Sequence, residues 1–143
     1  DNSLTTITAP SLVFATTGVQ LVNLPRLSTA RFDSLTSIGD ALVLSGLPVL
    51  PNLSGFVRVQ SIGGAFSLLG TGVVRDFTGL GALASVSGTM TVGSNAQLRS
   101  FTGLGKLTEV GGDLTITSNP LLTKATSQAF AQRITVRGKL TIN

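Results

Sequence analysis

The sequence contains no cysteine, no histidine, no tryptophan and no tyrosine. Without cysteine there is neither a disulfide framework nor a thiolate metal site, so stability has to come from packing. Without histidine or cysteine, the common nucleophile and base pairs and most transition-metal sites are unavailable. Charge is scarce as well: 11% of residues are Asp, Glu, Lys or Arg, against about 25% in an average soluble domain. Ser, Thr, Gly and Asn must therefore cover most of the surface, which suits an extracellular or cell-surface protein. No apolar run approaches the roughly eighteen residues of a membrane span, and stretches such as "ALVL" at 41–44 have the length of a strand. The chain opens at Asp1 with no charged-then-apolar leader, which suggests a processed chain or a fragment.

What is present is ample core material. With 143 residues, 42% of them hydrophobic, and a mean hydropathy of +0.45, the chain is expected to fold as one domain. The formal charge is +4, and the pI near 10.8 mostly reflects the lack of His, Cys and Tyr to buffer the titration. They are weak evidence for nucleic acid, which is not expected as a partner in the absence of interleaved Tyr or Trp.

Self-comparison gives the organisation. Ile38, Ile62, Val86 and Val110 recur at intervals of 24 residues. Four further columns keep that interval: Leu35, Val59, Leu83, Leu107; Phe32, Phe56, Leu80, Leu104; Leu42, Phe66, Met90, Leu114; and Leu44, Leu68, Val92, Ile116. "LVNLPRL" at 21–27 aligns with "LSGLPVL" at 44–50 after a shift of 23. "VRGKLTI" at 136–142 aligns with "VGGDLTI" at 110–116 after a shift of 26, the extra residues falling in "KATSQAFAQR". The domain thus divides into an N-terminal strand segment, 1–17, and repeats over 18–143 with an insertion near 123–133.

Within a unit the apolar residues lie three apart, as in Leu50, Leu53, Phe56, Val59 and Ile62, and then two apart, as in Leu114 and Ile116. Neither a helix of period 3.6 nor one long strand of period 2 gives that pattern. A coil that turns a corner every few residues does, and stacked coils put each column into a ladder at about the 4.8 Å strand spacing. The expected fold is an all-β solenoid, a right-handed β-helix-like stack of leucine-rich-type turns of about 24 residues. Gly39, Gly63 and Gly111, with Gly64, Gly88, Gly112 and Gly138, precede the strand, where a bend needs positive φ or close backbone approach. A phosphate cradle is the sharper alternative, but no Lys or strand-to-helix switch follows them. Asn95 and Asn119, one repeat apart after the strand, suit the left-handed region, with amides free to cap nearby backbone.

The stretches "LTEVGGDLTITSNPLL" at 107–122 and "FTGLGKL" at 101–107 resemble leucine-rich repeats of the receptor L-domain kind, and the likeness covers most of 18–143. The longer gap before the paired apolar residues and the lack of a regular helix on the convex side favour a flat-sided, mostly β solenoid over a horseshoe. The resemblance implies an extracellular or cell-surface location and a binding role toward proteins, ligands or surfaces, without chemistry.

An enzyme is not expected, nor is a cofactor or a metal. The acidic residues are Asp1, Asp33, Asp40, Asp76, Glu109 and Asp113, and their places in the repeat stack none on another. Glu109 and Asp113 can approach across the Gly111 corner, where a solvated pair is expected rather than a glycosidase pair or a calcium site. Arg75 and Arg99 lie 24 apart with Lys124 beside the next position, and Arg133, Arg137 and Lys139 gather near the C-terminus. Arg75, Arg99 and Lys124 are candidate contacts for an anion or glycan, against the plainer role of solubilising charge. Thr91, Thr115 and Thr141 share an outward column, as in an ice-binding array, but Val43 and Ser67 interrupt it, and ordinary strand propensity accounts for it more simply. Asn52 opens an N-glycosylation sequon, Asn52-Leu53-Ser54.

A solenoid needs polar caps over its end coils. Neither "NSLTTITAPSL" nor "GKLTIN" supplies one, which makes Leu4, Ile7, Leu140 and Ile142 candidate assembly positions. The leading expectation is a non-enzymatic extracellular structural protein whose partners are other copies of itself, joined end to end or by strand complementation into a filament or surface layer. The alternatives are a cell-surface adhesin or receptor-type domain binding a protein or glycan, and an ice-binding solenoid.

Overall fold

The computed structural model describes residues 3–143. The chain winds through six coils. The first contains β1 (Thr6–Thr8), β2 (Phe14–Ala15) and β3 (Val19–Val22). The second contains β4 (Thr29–Arg31), β5 (Ser37–Ile38) and β6 (Leu42–Ser45). The third has a 3₁₀ turn (Ser54–Phe56), β7 (Ser61–Ile62) and β8 (Phe66–Leu69). The fourth has β9 (Ser85–Val86) and β10 (Met90–Gly93), and the fifth β11 (Glu109–Val110) and β12 (Leu114–Thr117). The sixth opens with helix α1 (Lys124–Arg133) and ends in β13 (Thr135–Val136) and β14 (Leu140–Ile142).

Coil stacks on coil through parallel pairing. One six-stranded sheet has the order β14-β12-β10-β8-β6-β3, a second the order β13-β11-β9-β7-β5-β2, and β1 pairs with β4 on the third side. The register follows the sequence columns: Val19 faces Leu42, Leu42 faces Phe66, Phe66 faces Met90, Met90 faces Leu114 and Leu114 faces Leu140. The 24-residue period is thus the length of one coil, and the fold is the expected β-solenoid.

The three-residue spacing has its own cause. Phe56 N–H donates to Leu53 O and Val59 N–H to Phe56 O, both at 3.0 Å, and Leu80, Leu83, Leu104 and Leu107 repeat the pattern one and two coils on. These i to i+3 bonds turn the chain about once every three residues. Every third side chain then points to the axis, and Leu53, Phe56, Val59 and Ile62 are buried together. In the third, fourth and fifth coils the third side consists of such tight turns and not of short strands.

That side is also unevenly bonded. Phe32 N–H reaches Gly55 O at 2.9 Å between coils two and three, and Arg99 N–H reaches Arg75 O at 2.9 Å between coils four and five. Between coils three and four, no backbone hydrogen bond among the described residues joins 51–57 to 75–81. Pro51, which precedes Arg75 in this column, has no N–H to give.

The corner glycines act through close approach. A Cβ on Gly63 would lie 2.3 Å from Gly39 O, and none of the seven glycines before the strand has positive φ. The left-handed position lies after the strand, at Asn23, Gly46, Gly70, Ser94 and Ser118. This corrects the expectation for Asn95 and Asn119, each of which sits one residue past it.

The insertion at 124–133 is α-helical, which departs from the expectation of no regular helix. Thr123 Oγ1 caps it by accepting the Thr126 N–H at 3.1 Å. Its inner face carries Phe130, whose ring stacks on Phe101 at 4.0 Å, and Phe101 stacks in turn on Phe77 at 5.4 Å. The helix thus delivers an aromatic side chain into a column that the tight turns fill in the coils before it. Arg133 fixes it from outside, donating to Leu104 O at 2.8 Å and lying over the Phe130 ring.

Candidate functional site

Among the described residues, the buried polar side chains outside helix α1 fall in one column. Leu24 and Leu47 occupy it in the early coils, and Thr71, Asn95 and Asn119 occupy it in the later ones. Thr71 donates its N–H at 3.1 Å and its hydroxyl at 2.8 Å to Asn95 Oδ1. Asn119 Oδ1 accepts from Asn95 in the same way, and the amides also reach Leu68 O and Val92 O. The three side chains are buried, and among the described residues no buried side-chain nitrogen or oxygen lacks a partner. The capping role expected for the two asparagines holds, and the ladder is structural.

The carboxylates are dispersed. Asp33 pairs with Arg31 at 3.1 Å. Asp76 Oδ1 accepts the Thr78 N–H at 2.9 Å, and its column mates Asn52 and Ser100 cap the N–H of Ser54 and Thr102 in the same manner. Glu109 pairs with Arg137 at 2.6 Å, and Asp113 Oδ1 accepts the Lys139 N–H at 2.7 Å. Each of these last two is bonded to the sixth coil while remaining solvent-accessible, so the two carboxylates are solvated as expected but are partnered with Arg137 and the Lys139 backbone and not with each other. Asp1 lies outside the described residues. Among the described residues there is no group of three or more metal-ligating side chains, and no helix is long and apolar enough to cross a membrane.

Three outward features remain. The first is the face of the larger sheet, where Gln20, Val43, Ser67, Thr91, Thr115 and Thr141 align in register. Threonine occupies only the last three strands of that column. The second is a cationic column on the third side: Arg75 and Arg99 are joined coil to coil by the backbone bond noted above, and Lys124 follows as the first residue of α1. All three are exposed. A cleft lined by Pro51, Val73, Arg75, Asp76 and Thr78 opens where coils three and four are not bonded, and a second, lined in part by Arg31, Pro51 and Asn52, lies on the other side of Pro51. Asn52 is exposed beside it, with its Oδ1 turned to Ser54 N–H.

The third feature is the pair of end coils. The outer edges of β1, β2 and β3 at one end, and of β13 and β14 at the other, pair with nothing among the described residues. Leu4, Ile7 and Ile142 are half-buried against the chain's own core, whereas Leu140 is 47% exposed. The largest exposed apolar group at the first coil is one that sequence reasoning missed: Leu12, Val13 (56% exposed) and Phe14 (51%). Two signals were available. Residues 2–25 contain no charged side chain, and Thr6 pairs with Thr29 at the same 23-residue shift as Val19 with Leu42.

The architecture defines the class, a parallel β-solenoid of six coils with one α-helix among the described residues. In comparisons with known proteins, the chain matches no family model, no curated protein and no solved structure.

Proposed function

We propose that this chain is a non-enzymatic structural repeat protein of the extracellular space or cell surface, related to receptor L-domain repeats, which joins other copies of itself through the edges of its end coils to form a filament or layer. The observation that carries this is the first coil. Its three strands have no outer partner among the described residues, contain no charge and no proline, and stand beside exposed Leu12, Val13 and Phe14. Soluble proteins normally blunt such edges with charge, proline or a covering element.

The sixth coil is better protected, with α1 on its third side and Arg137 and Lys139 exposed around β14. The first coil is therefore the adhesive end, and Leu140 on β14 is the apolar position it meets in a head-to-tail contact. Such a contact does not close on itself and propagates. Sizing of the purified chain across a concentration series, followed by negative-stain microscopy, tests this. Oligomers or fibres that grow with concentration are expected, and a monomer at every concentration sinks the proposal.

A further inference from the structure

We propose that the third side of the solenoid binds an acidic polysaccharide, laid along the solenoid axis over Arg75, Arg99 and Lys124. This is independent of assembly at the ends.

The three cations stand on consecutive coils, one per coil. Arg75 and Arg99 are joined by a backbone bond and so lie about 4.8 Å apart along the axis, and Lys124 follows at the start of helix α1, one residue past the 24-residue register. Among the described residues none of the three makes an ion pair, whereas Arg31 and Arg137 do. The one carboxylate in the row, Asp76, directs Oδ1 to the Thr78 N–H. Lys124 also sits at the N-terminal end of α1, where the helix dipole disfavours a cation and favours an anion. An acidic group bound there answers both charges. Beside Arg75 the missing ladder bonds leave the cleft walled by Pro51, Val73 and Thr78, a shallow seat for a sugar ring.

The ligand has to be a polymer, because a single exposed ion pair contributes little. Three along one stiff chain act together, since the second and third contacts form intramolecularly. A polysaccharide with one carboxylate per ring has that regular charge. Nucleic acid fits less well: the chain has no Tyr or Trp, and the one exposed Phe, Phe14, lies in β2 on another side, so bases find no stacking platform.

The probe is polygalacturonate at low ionic strength, with neutral dextran as the blank, read by affinity electrophoresis. The wild-type chain is expected to be retarded by polygalacturonate alone and released by added salt. Replacing Arg75, Arg99 and Lys124 together with Ala is expected to weaken retardation at least tenfold. A matched variant, Arg26→Ala with Arg58→Ala and Lys106→Ala, also lowers the formal charge from +4 to +1 and is expected to keep binding. All six residues are exposed, and circular dichroism checks that both variants keep the wild-type fold. Absence of wild-type retardation overturns the proposal, as does equal loss in the two variants, which reports bulk charge only. Tighter binding of single-stranded DNA through Arg75, Arg99 and Lys124 overturns it in favour of a nucleic-acid ligand.

Discussion

Asn119 Oδ1 receives two hydrogen bonds from Asn95, one from the backbone N–H at 3.1 Å and one from the side-chain amide at 3.0 Å. The pair spans adjacent coils, and Asn95 repeats the arrangement with Thr71. A buried group that loses its partner costs about 1–3 kcal/mol, and several are linked here. Asn95→Ala is expected to destabilise the fold by about 3 kcal/mol or more, as read by urea denaturation. Adding Asn119→Ala should cost less than the sum of the two single changes, because the groups are coupled. Strict additivity would show that they act independently.

Two glycines make opposite predictions. Gly79 has φ +110, and a Cβ there would lie 2.2 Å from Leu53 C, whereas a Cβ on Gly105 meets nothing within 4 Å. Gly79→Ala is expected to lose about 3 kcal/mol or to fail to fold. Gly105→Ala should be neutral or gain up to about 1 kcal/mol by restricting the unfolded chain. Thermal melts of the two variants side by side decide the point.

Helix α1 is held by Phe130 on Phe101 and by Arg133 on the Leu104 carbonyl. Phe130→Ala removes a buried ring and is expected to cost about 3 kcal/mol. Amide exchange should show the loss concentrated at 124–133 and in the sixth coil. Uniform loss of protection across all six coils would mean that the helix is integral to global stability rather than docked on it.

Assembly through the first coil predicts that a charge on its edge abolishes it. Phe14→Lys and Val13→Lys replace exposed side chains, so they should leave stability within about 0.5 kcal/mol while shifting the sizing profile to monomer. Unchanged oligomers in both variants would move the contact elsewhere on the molecule.

The regular part of this fold was legible because its cause is periodic. Leu42, Phe66, Met90 and Leu114 share a column in the sequence for the same reason that they face one another in the sheet. The helix was not legible by that route, since "KATSQAFAQR" belongs to no column. Its signal was local: Thr123 as cap and a run of helix-forming residues. The left-handed corner was misplaced by one residue because Asn, Gly and Ser all occupy it in different coils, so no single residue type marked it. The cationic column was visible as spacing alone. The cleft beside Arg75 was not, because it depends on bonds that Pro51 and the turns around it fail to make.

That missing set of bonds has a mechanical side. Between coils three and four, β7 pairs with β9 and β8 with β10, while the third side carries no backbone bond among the described residues. The two halves of the solenoid are therefore joined by backbone bonds along two faces and by packing alone on the third, where Gly79 lies against Leu53 and Ser54. A load that bends the rod across that side is borne there by side-chain packing and by the two ladders, with no backbone bond of its own to break.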